Sequence, residues 1–180
     1  GVIGFGRIGR RLSNKAKSLG LNVIAYDPYI REKVYDGVNI LSFEEVISSS
    51  DILSLHVPLT DETNHLISHK ELANMKNDVI LINVSRGGLI DEKALLDYLD
   101  NGRVRGVGLD VMEDHNPSSS NPLFKYENVI ITPHTAFFSQ ESSEELQLRS
   151  CKQLFDVLNG KKPEFLINPD VLNHSEVNLN

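Results

Sequence analysis

Three glycines near the start of the chain have the spacing of a phosphate-binding loop. They stand in Gly4-Phe5-Gly6-Arg7-Ile8-Gly9, between an apolar strand pattern and a helical pattern. In such a loop the first glycine permits a tight turn, the second lets the backbone approach a pyrophosphate, and the third allows close packing of helix on strand. The N-terminus of the following helix favours an anion. The string predicts a dinucleotide site, with an ordinary glycine turn as the alternative.

A carboxylate follows the second strand pattern at a distance that suits the same ligand. Asp27 lies 18 residues after Gly9, where an acidic side chain binds the adenosine ribose hydroxyls and repels a 2′-phosphate. No arginine follows directly, because the next residues are Pro28 and Tyr29. These residues predict NAD rather than NADP as the cofactor. Asp27 as a solvated turn residue is the alternative.

One arginine and one histidine follow later strand patterns and could act on a substrate beside the nicotinamide. Arg86 comes after the apolar run 79–84, and His134 ends the run that starts at residue 129. A guanidinium group suits a carboxylate or a polarised carbonyl, and an imidazole readily moves a proton near neutral pH. By residue type alone a surface arginine and a structural histidine are the commoner cases. The position of both residues at the sheet edge of the glycine loop favours catalysis.

Six β-rich runs alternate with helical patterns and must position these residues. The runs are 1–5, 22–26, 52–56, 79–84, 104–110 and 129–132. Most are near-continuously apolar, which is typical of strands covered on both faces. Their alternation with helices predicts an α/β fold with a doubly wound parallel sheet of the Rossmann type.

The helical patterns carry their own boundary signals. Ser42 and Ser68 each precede a glutamate by three residues, as in a capping box, and Asp91 could cap a later helix. A longer helix is predicted from Ser139 to Asn159. The first helical pattern carries an apolar stripe at Ile8, Leu12, Ala16 and Leu19. The predicted inward face of the last helix is Cys151, Leu154, Phe155 and Leu158.

Composition disfavours several classes of partner, although a local basic pocket stays compatible with it. The chain has 18 Lys and Arg against 25 Asp and Glu, a net charge of −7, which disfavours nucleic acid or an anionic membrane as the main partner. No apolar stretch approaches the roughly 20 residues that span a bilayer. The single cysteine, Cys151, fits a reducing compartment, so we expect a cytoplasmic protein. His115 and His134 lack a third ligand at suitable spacing, and we expect no metal.

With these motifs, the chain resembles the cofactor domain of the D-isomer-specific 2-hydroxyacid dehydrogenases. This family includes D-lactate dehydrogenase, phosphoglycerate dehydrogenase and the C-terminal-binding-protein corepressors. The resemblance covers about residues 1–170. It rests on GFGRIG at 4–9, YDPY at 26–29, HVPLT at 56–60, NVSRGGLIDEKAL at 83–95, GVGLDV at 106–111 and NVIITPHTA at 128–136.

The resemblance implies a role for each matching residue. Arg86 would bind the substrate carboxylate and carbonyl, and His134 would protonate the carbonyl oxygen during reduction. Asp110 would hold the nicotinamide carboxamide. Arg86 and His134 are implied to contact the cofactor as well as the substrate. The other residues implied along the cofactor are Gly4, Gly6, Arg7, Ile8, Gly9, Asp27, His56, Pro58, Val84 and Ser85.

One member of the family's catalytic set does not carry over. The family normally has a glutamate five residues after the position of Asp110, where it orients the catalytic histidine and raises its pKa. Here that residue is His115, and Glu113 could serve only if the loop is rearranged. A neutral or cationic neighbour should lower the pKa of His134 relative to a carboxylate partner. We therefore expect a shifted pH optimum or a loss of ordinary 2-oxoacid turnover.

The resemblance also implies an activity and a branch. The expected protein is an NAD-dependent enzyme that interconverts a 2-oxoacid and a D-2-hydroxyacid. Phe137 and Phe138 are typical of the lactate-type or corepressor-like branch, although phenylalanines that pack the core are an equal alternative. A non-enzymatic NAD(H)-sensing scaffold of the corepressor type is the competing hypothesis. The missing glutamate favours it, and the presence of Arg86 and His134 disfavours it.

The family's domain arrangement suggests how the chain is organised. Residues 1–162 would form the dinucleotide-binding domain, and 163–180 would be a return segment to the substrate domain with a tail. The N-terminal part of that substrate domain is absent from the sequence, so we expect the chain alone to be inactive. Family members are usually dimers through the cofactor domain, and we expect a homodimer.

Overall fold

A computed structural model describes residues 1–173. It divides the chain into two compact units, Gly1–Ala136 and Phe137–Asn180, the second described as far as Asn173. The boundary predicted at residue 162 concerns the complete protein and stays a prediction. The end of the predicted return segment, 174–180 with His174, lies outside the described residues.

An eight-stranded sheet forms the centre of the first unit. Its strands are β1 (Val2–Ile3), β2 (Ile24–Tyr26), β3 (Val34–Tyr35), β4 (Val38–Ile40), β5 (Ile52–Leu55), β6 (Val79–Asn83), β7 (Val104–Leu109) and β8 (Val129–Ile131). Their spatial order is β3-β4-β2-β1-β5-β6-β7-β8, and every pair is parallel except β3 with β4. The predicted doubly wound α/β fold is confirmed. The order reverses between β1 and β5, which is where such sheets bind ligands.

All six predicted strands are present, each slightly shorter than its apolar run. The pair β3 and β4 was not predicted. It is a hairpin that turns through Asp36 and Gly37, at φ values of 51° and 67°. Positive φ at both central residues is the requirement of a tight hairpin turn, which aspartate followed by glycine satisfies well.

The first unit has four α-helices and the second has one, besides short 3-10 turns at Gly87–Leu89, Pro122–Lys125 and Pro169–Asn173. The α-helices are α1 (Arg7–Ser18), α2 (Phe43–Ser49), α3 (His69–Asn74), α4 (Glu92–Asp100) and α5 (Gln140–Leu158). The core beneath them is built from the strand centres, where Leu53, Leu55 and Leu81 are fully buried. Within residues 1–173, no helix has the length and apolar character needed to cross a membrane.

The predicted helix starts are confirmed by their hydrogen bonds. The Ser42 hydroxyl accepts from the Glu45 N–H at 3.2 Å, and the Glu45 carboxylate accepts from the Ser42 N–H at 2.9 Å. At α3, the Glu71 carboxylate accepts from the Ser68 N–H at 3.2 Å, while the Ser68 hydroxyl donates to Asp91 at 3.1 Å. Asp91 in turn caps α4. The bonds to backbone N–H groups satisfy donors that a helix N-terminus leaves unpaired.

The apolar stripe of α1 is only partly buried, and Leu12 is the member that packs against the core. Ile8 and Leu19 are 68% and 80% exposed, and the buried residues are Gly9 and Ser13. Gly9 determines this orientation, because a Cβ at residue 9 would lie 2.2 Å from the Gly4 carbonyl oxygen. Ser13 tolerates burial because its hydroxyl donates to the Gly9 carbonyl at 2.8 Å.

The predicted inward face of α5 is exposed in the described residues, so this prediction is wrong. Leu154, Phe155 and Leu158 are 61%, 62% and 76% exposed, and Cys151 is exposed as well. A helical period identifies an apolar row but does not supply the surface that covers it.

Candidate functional site

The glycine loop leaves an open approach to the start of α1. Gly4 has φ +92°, and a Cβ there would lie 2.6 Å from the His56 carbonyl oxygen. Gly9 packs against Gly4, as described above. No atom lies within 4 Å of a Cβ built at Gly6. Gly4 and Gly9 are therefore fixed by packing, whereas Gly6 keeps free the space that a pyrophosphate would need at a helix N-terminus.

Asp27 is held over this loop. It directly follows β2, and its carboxylate accepts from the Phe5 N–H at 2.9 Å and from the Tyr29 N–H at 3.0 Å. The carboxylate therefore stands beside the strand-to-helix turn on which a dinucleotide lies. The arrangement of Asp27, the open Gly6 and the N-terminus of α1 fits an NAD molecule.

Residues after β5 and β6 lie at the carboxyl ends of two neighbouring parallel strands. The His56 ring bonds the Ser54 hydroxyl at 2.9 Å, and burial lowers the pKa of His56. His56 and Val84 line an apolar cavity of about 370 Å³ against α1. Pro58 is exposed in the following loop, and the Ser85 hydroxyl donates to the Leu55 carbonyl at 2.9 Å.

Arg86 is exposed just beyond the carboxyl end of β6. Its guanidinium donates to the Ser85 carbonyl at 2.7 Å. The turn that carries it is shaped by Asn83, a fully buried residue that sequence reasoning missed. The Asn83 amide donates to the Arg86 carbonyl at 2.8 Å, and its oxygen accepts from the Ser85 N–H at 3.0 Å.

Asp110 holds the turn that carries His134. The buried carboxylate accepts from the Thr132 hydroxyl at 2.5 Å and from the N–H groups of Thr135 and Ala136 at 2.8 and 2.9 Å. The His134 N–H donates to the Asp110 carbonyl at 2.9 Å, and His134 has φ +54°. Burial alone would raise the pKa of Asp110, but these hydrogen bonds outweigh it and the pKa lies below its usual value.

His134 and His115 line one cavity of about 600 Å³, together with Asp110, Asp114 and Phe124. The structure therefore brings the histidine at the family's glutamate position to the same cavity as the predicted acid. Of the described residues, Arg86 is not among those that line it. Within residues 1–173, no group of three or more His, Cys, Asp or Glu could hold a metal ion.

The Glu113 carboxylate forms its bonds on other elements. It bonds the His65 ring at 2.5 Å and accepts from the Glu92 N–H at 3.2 Å, while the Glu113 N–H donates to the Glu92 carboxylate at 2.8 Å. Burial, with the nearby charge of Glu113, raises the pKa of Glu92. Sequence reasoning missed His65 and Glu92, and no local signal indicates them because they lie 48 and 21 residues from Glu113.

Comparison with known proteins identifies the family. A model of the NAD-binding domain of D-isomer-specific 2-hydroxyacid dehydrogenases matches residues 1–136. The chain is 41% identical over 179 residues to a glyoxylate reductase of Thermococcus litoralis, covering 97% of this chain and 53% of that protein. It is 36% identical over 174 residues to a D-lactate dehydrogenase of Treponema pallidum, covering 89% of this chain and 53% of that protein.

A solved structure agrees with these relatives. The D-lactate dehydrogenase of Lactobacillus jensenii with NAD⁺ superposes with a TM-score of 0.85 at 32% identity, covering 92% of this chain and 54% of that one. The chain thus spans about half the length of these proteins. All three are enzymes by name, and they give no support to the corepressor-type alternative. The chain belongs to the D-isomer-specific 2-hydroxyacid dehydrogenase family, and residues 1–136 match its NAD-binding domain.

Proposed function

We propose that the complete protein is an NAD-dependent oxidoreductase that interconverts a 2-oxoacid and a D-2-hydroxyacid. The observation that carries this proposal is the turn of His134, which Asp110 fixes at the sheet edge that also carries the glycine loop. Similarity to a glyoxylate reductase and a D-lactate dehydrogenase supports the same reaction class. Because the chain spans about half of these relatives, we expect turnover only from the complete protein.

The residues divide the reaction between them. The loop at Gly6 and the N-terminus of α1 would bind the pyrophosphate, and Asp27 would accept hydrogen bonds from the ribose. When bound, NADH supplies the hydride that the carbonyl carbon receives. Arg86 pairs with the substrate carboxylate and polarises the carbonyl, and His134 gives its proton to the carbonyl oxygen. In the oxidative direction His134 takes that proton back.

Reduction of 2-oxoacids by the purified full-length protein tests this function. We expect steady NADH oxidation with at least one member of a panel that includes glyoxylate, pyruvate and phenylpyruvate. Replacing His134 with Gln should lower kcat by roughly 10²- to 10⁴-fold, the usual contribution of a general acid. The affinity for NADH should change little. Absence of turnover with every acid in the panel would contradict the proposal.

The neighbour of His134 should set the pH at which reduction works best. A carboxylate at position 115 would add a negative charge to the cavity of His134, and the rate of reduction should then persist to higher pH before it falls. His115→Glu should move this alkaline limb upward by about one pH unit. His115→Gln is the matched control and should leave it nearly in place. An unchanged pH–rate profile in His115→Glu would exclude His115 as the neighbour that matters.

Three finer assignments are part of the same proposal. Phe137 and Phe138 are both exposed, and their rings meet edge to face with centroids 6.4 Å apart. As an apolar wall they would favour small apolar or aromatic 2-oxoacids.

We also propose a homodimer, which is the usual state of the family, and light scattering of the full-length protein measures the oligomeric state. A cytoplasmic location is supported by the single, unpaired Cys151.

A further inference from the structure

Glu113 joins three loops of the first unit. Its backbone N–H donates to the Glu92 carboxylate, and one oxygen of its own carboxylate accepts from the Glu92 N–H. The other carboxylate oxygen bonds the His65 ring. Hydrogen bonds to an ionised carboxylate are among the stronger ones in proteins. Glu113 is exposed, yet its bonds join it to two other segments of the chain.

Each partner of Glu113 belongs to a loop of the candidate site. Glu92 begins α4, six residues after Arg86. His65 lies in the loop that carries Pro58, and its N–H donates to the Gly88 carbonyl at 2.7 Å. The turn after Arg86 also packs on the Glu113 segment, because a Cβ at Gly87 would lie 1.9 Å from the Met112 carbonyl oxygen. The substrate-binding, cofactor-side and acid/base loops thus meet at one point.

The same junction fixes the approach to His115. Val111 and Met112 are buried, and Glu113 is held through both its backbone and its side chain. The next two residues, Asp114 and His115, are exposed and line the cavity of His134. Among the described residues, Asp114 accepts only from the nearby Asn116 N–H, at 2.9 Å. Glu113 is therefore the last described residue before His115 with a hydrogen bond to another element.

We propose that Glu113, held by His65 and Glu92, is a positioning residue that fixes His115 in the cavity of His134. The inference rests on the proposed function, because the group positioned is the neighbour of the proposed acid. It also distinguishes the role of Glu113 from the role of the glutamate that the family has five residues after Asp110. The family's glutamate directs its carboxylate to the catalytic histidine, whereas the Glu113 carboxylate is bound to His65 and the Glu92 N–H.

Three variants of the full-length protein separate positioning from general stability. Glu113→Gln keeps the shape of the side chain but loses acceptor capacity toward its two donors. His65→Asn removes the reach to Glu113, while asparagine tolerates the positive φ of 52° found at residue 65. Glu62→Gln is the matched control, since it neutralises an exposed glutamate of the same loop.

The first measurement is the pH profile of kcat for 2-oxoacid reduction. Glu113→Gln should lower kcat by about 10- to 100-fold, as expected when a catalytic group is displaced by about 1 Å. It should also displace the limb assigned to His134. His65→Asn should do the same more weakly, and Glu62→Gln should match the parent protein. The Kd of NADH should stay within about twofold in all variants, because none of the substituted residues is assigned to the cofactor site.

The second measurement does not depend on turnover. Histidine-labelled full-length protein is titrated by NMR, with Asp110 and Asp114, the carboxylates of the same cavity, intact in every variant. Glu113→Gln and His65→Asn should shift the titrations of His115 and His134, and Glu62→Gln should not. Unshifted titrations in His65→Asn, or a loss of kcat that is equal at every pH, would overturn the positioning role. If no 2-oxoacid is reduced, the proposed function fails and the NMR result alone decides the role of Glu113.

Discussion

At the scale of single residues, the glycines at 4, 6 and 9 serve different purposes. Gly9 is confined by the Gly4 carbonyl oxygen, 2.2 Å from the position of a Cβ, whereas Gly6 faces open space. A methyl group added at residue 9 would therefore disturb the packing of the fold, whereas one added at residue 6 would occupy only the space open to a ligand. Gly9 is thus required for folding and Gly6 for binding.

Alanine substitutions at these glycines test that separation. Gly9→Ala should destabilise the protein by about 1–3 kcal/mol through overpacking against Gly4. Gly6→Ala should cost less than about 1 kcal/mol, because the residue is a helix N-cap without close neighbours. Gly6→Ala should weaken NADH binding at least about tenfold, equivalent to 1.4 kcal/mol. Thermal unfolding and fluorescence titration measure the two effects, and equal loss of stability in both variants would refute the distinction.

Asp110 supplies a second prediction at this scale. Asp110→Asn removes the acceptor for the Ala136 N–H and should cost about 1–3 kcal/mol of unfolding free energy at neutral pH. The folded pKa of Asp110 is lowered, so its stabilisation is full above the unfolded pKa of about 3.9 and disappears as pH falls through the folded pKa. The gap between parent and variant in urea unfolding should therefore narrow below about pH 4. A gap that stays constant to pH 3 would contradict this account.

The sequence could indicate which residues gather at the site but not how they are held. Arg86, His134 and Asp110 were identified from strand ends and from a family resemblance. That Asp110 binds the 132–136 turn depends on partners 22 to 26 residues away. The Glu113 junction depends on separations of 21 and 48 residues. Such contacts follow from the packing of the sheet, which no local pattern records.

At the scale of elements, strands that are buried on both faces were predictable because their apolar runs are nearly continuous. The hairpin of β3 and β4 was missed, although Asp36 followed by Gly37 is a recognised turn signal. Its two strands are short, and Val34 is exposed, so the apolar pattern there is weak. The apolar stripe of α1 is buried only in part, since Leu12 packs on the core while Ile8 and Leu19 are exposed.

The start of α4 is the element whose cap is most easily tested. Asp91 accepts from the N–H groups of Lys93 and Ala94, both at 3.1 Å, and from the Ser68 hydroxyl. Asp91→Ala should lower the unfolding free energy by about 1–2 kcal/mol, as loss of an N-cap does. Asp97→Ala, an exposed aspartate in the same helix, should change it by less than about 0.5 kcal/mol. Urea unfolding of both variants measures these free energies. An equal loss of stability in Asp91→Ala and Asp97→Ala would contradict the capping role of Asp91.

At the scale of the whole molecule, charge is distributed unevenly. The chain carries a net charge of −7, yet α1 contains five basic residues and no acidic one. Arg7 begins this helix at the glycine loop, while Arg10 already bonds the Tyr35 hydroxyl at 3.3 Å. An anionic dinucleotide therefore meets a local positive field on a molecule that repels it elsewhere.

The positive field at α1 should make the affinity for NADH depend on salt concentration. NADH affinity should fall as ionic strength rises, because salt screens exposed charges. Arg7→Gln should lower the affinity at low salt by about fivefold, near 1 kcal/mol for one charge in water, and should flatten the salt dependence. Arg105→Gln, an exposed cation early in β7, is the control and should retain the parental slope. Identical slopes for Arg7→Gln and the parent would contradict the assignment.

The hairpin of β3 and β4 also governs how molecules meet one another in concentrated solution. A sheet edge with unpaired backbone groups is a template for strand addition and aggregation. Here the edge strand β3 has only two residues and follows Arg31, Glu32 and Lys33. So short a strand offers few unpaired groups, and the charges beside it oppose a second chain. The turn that departs from the parallel pattern thus protects this edge of the sheet from edge-to-edge association.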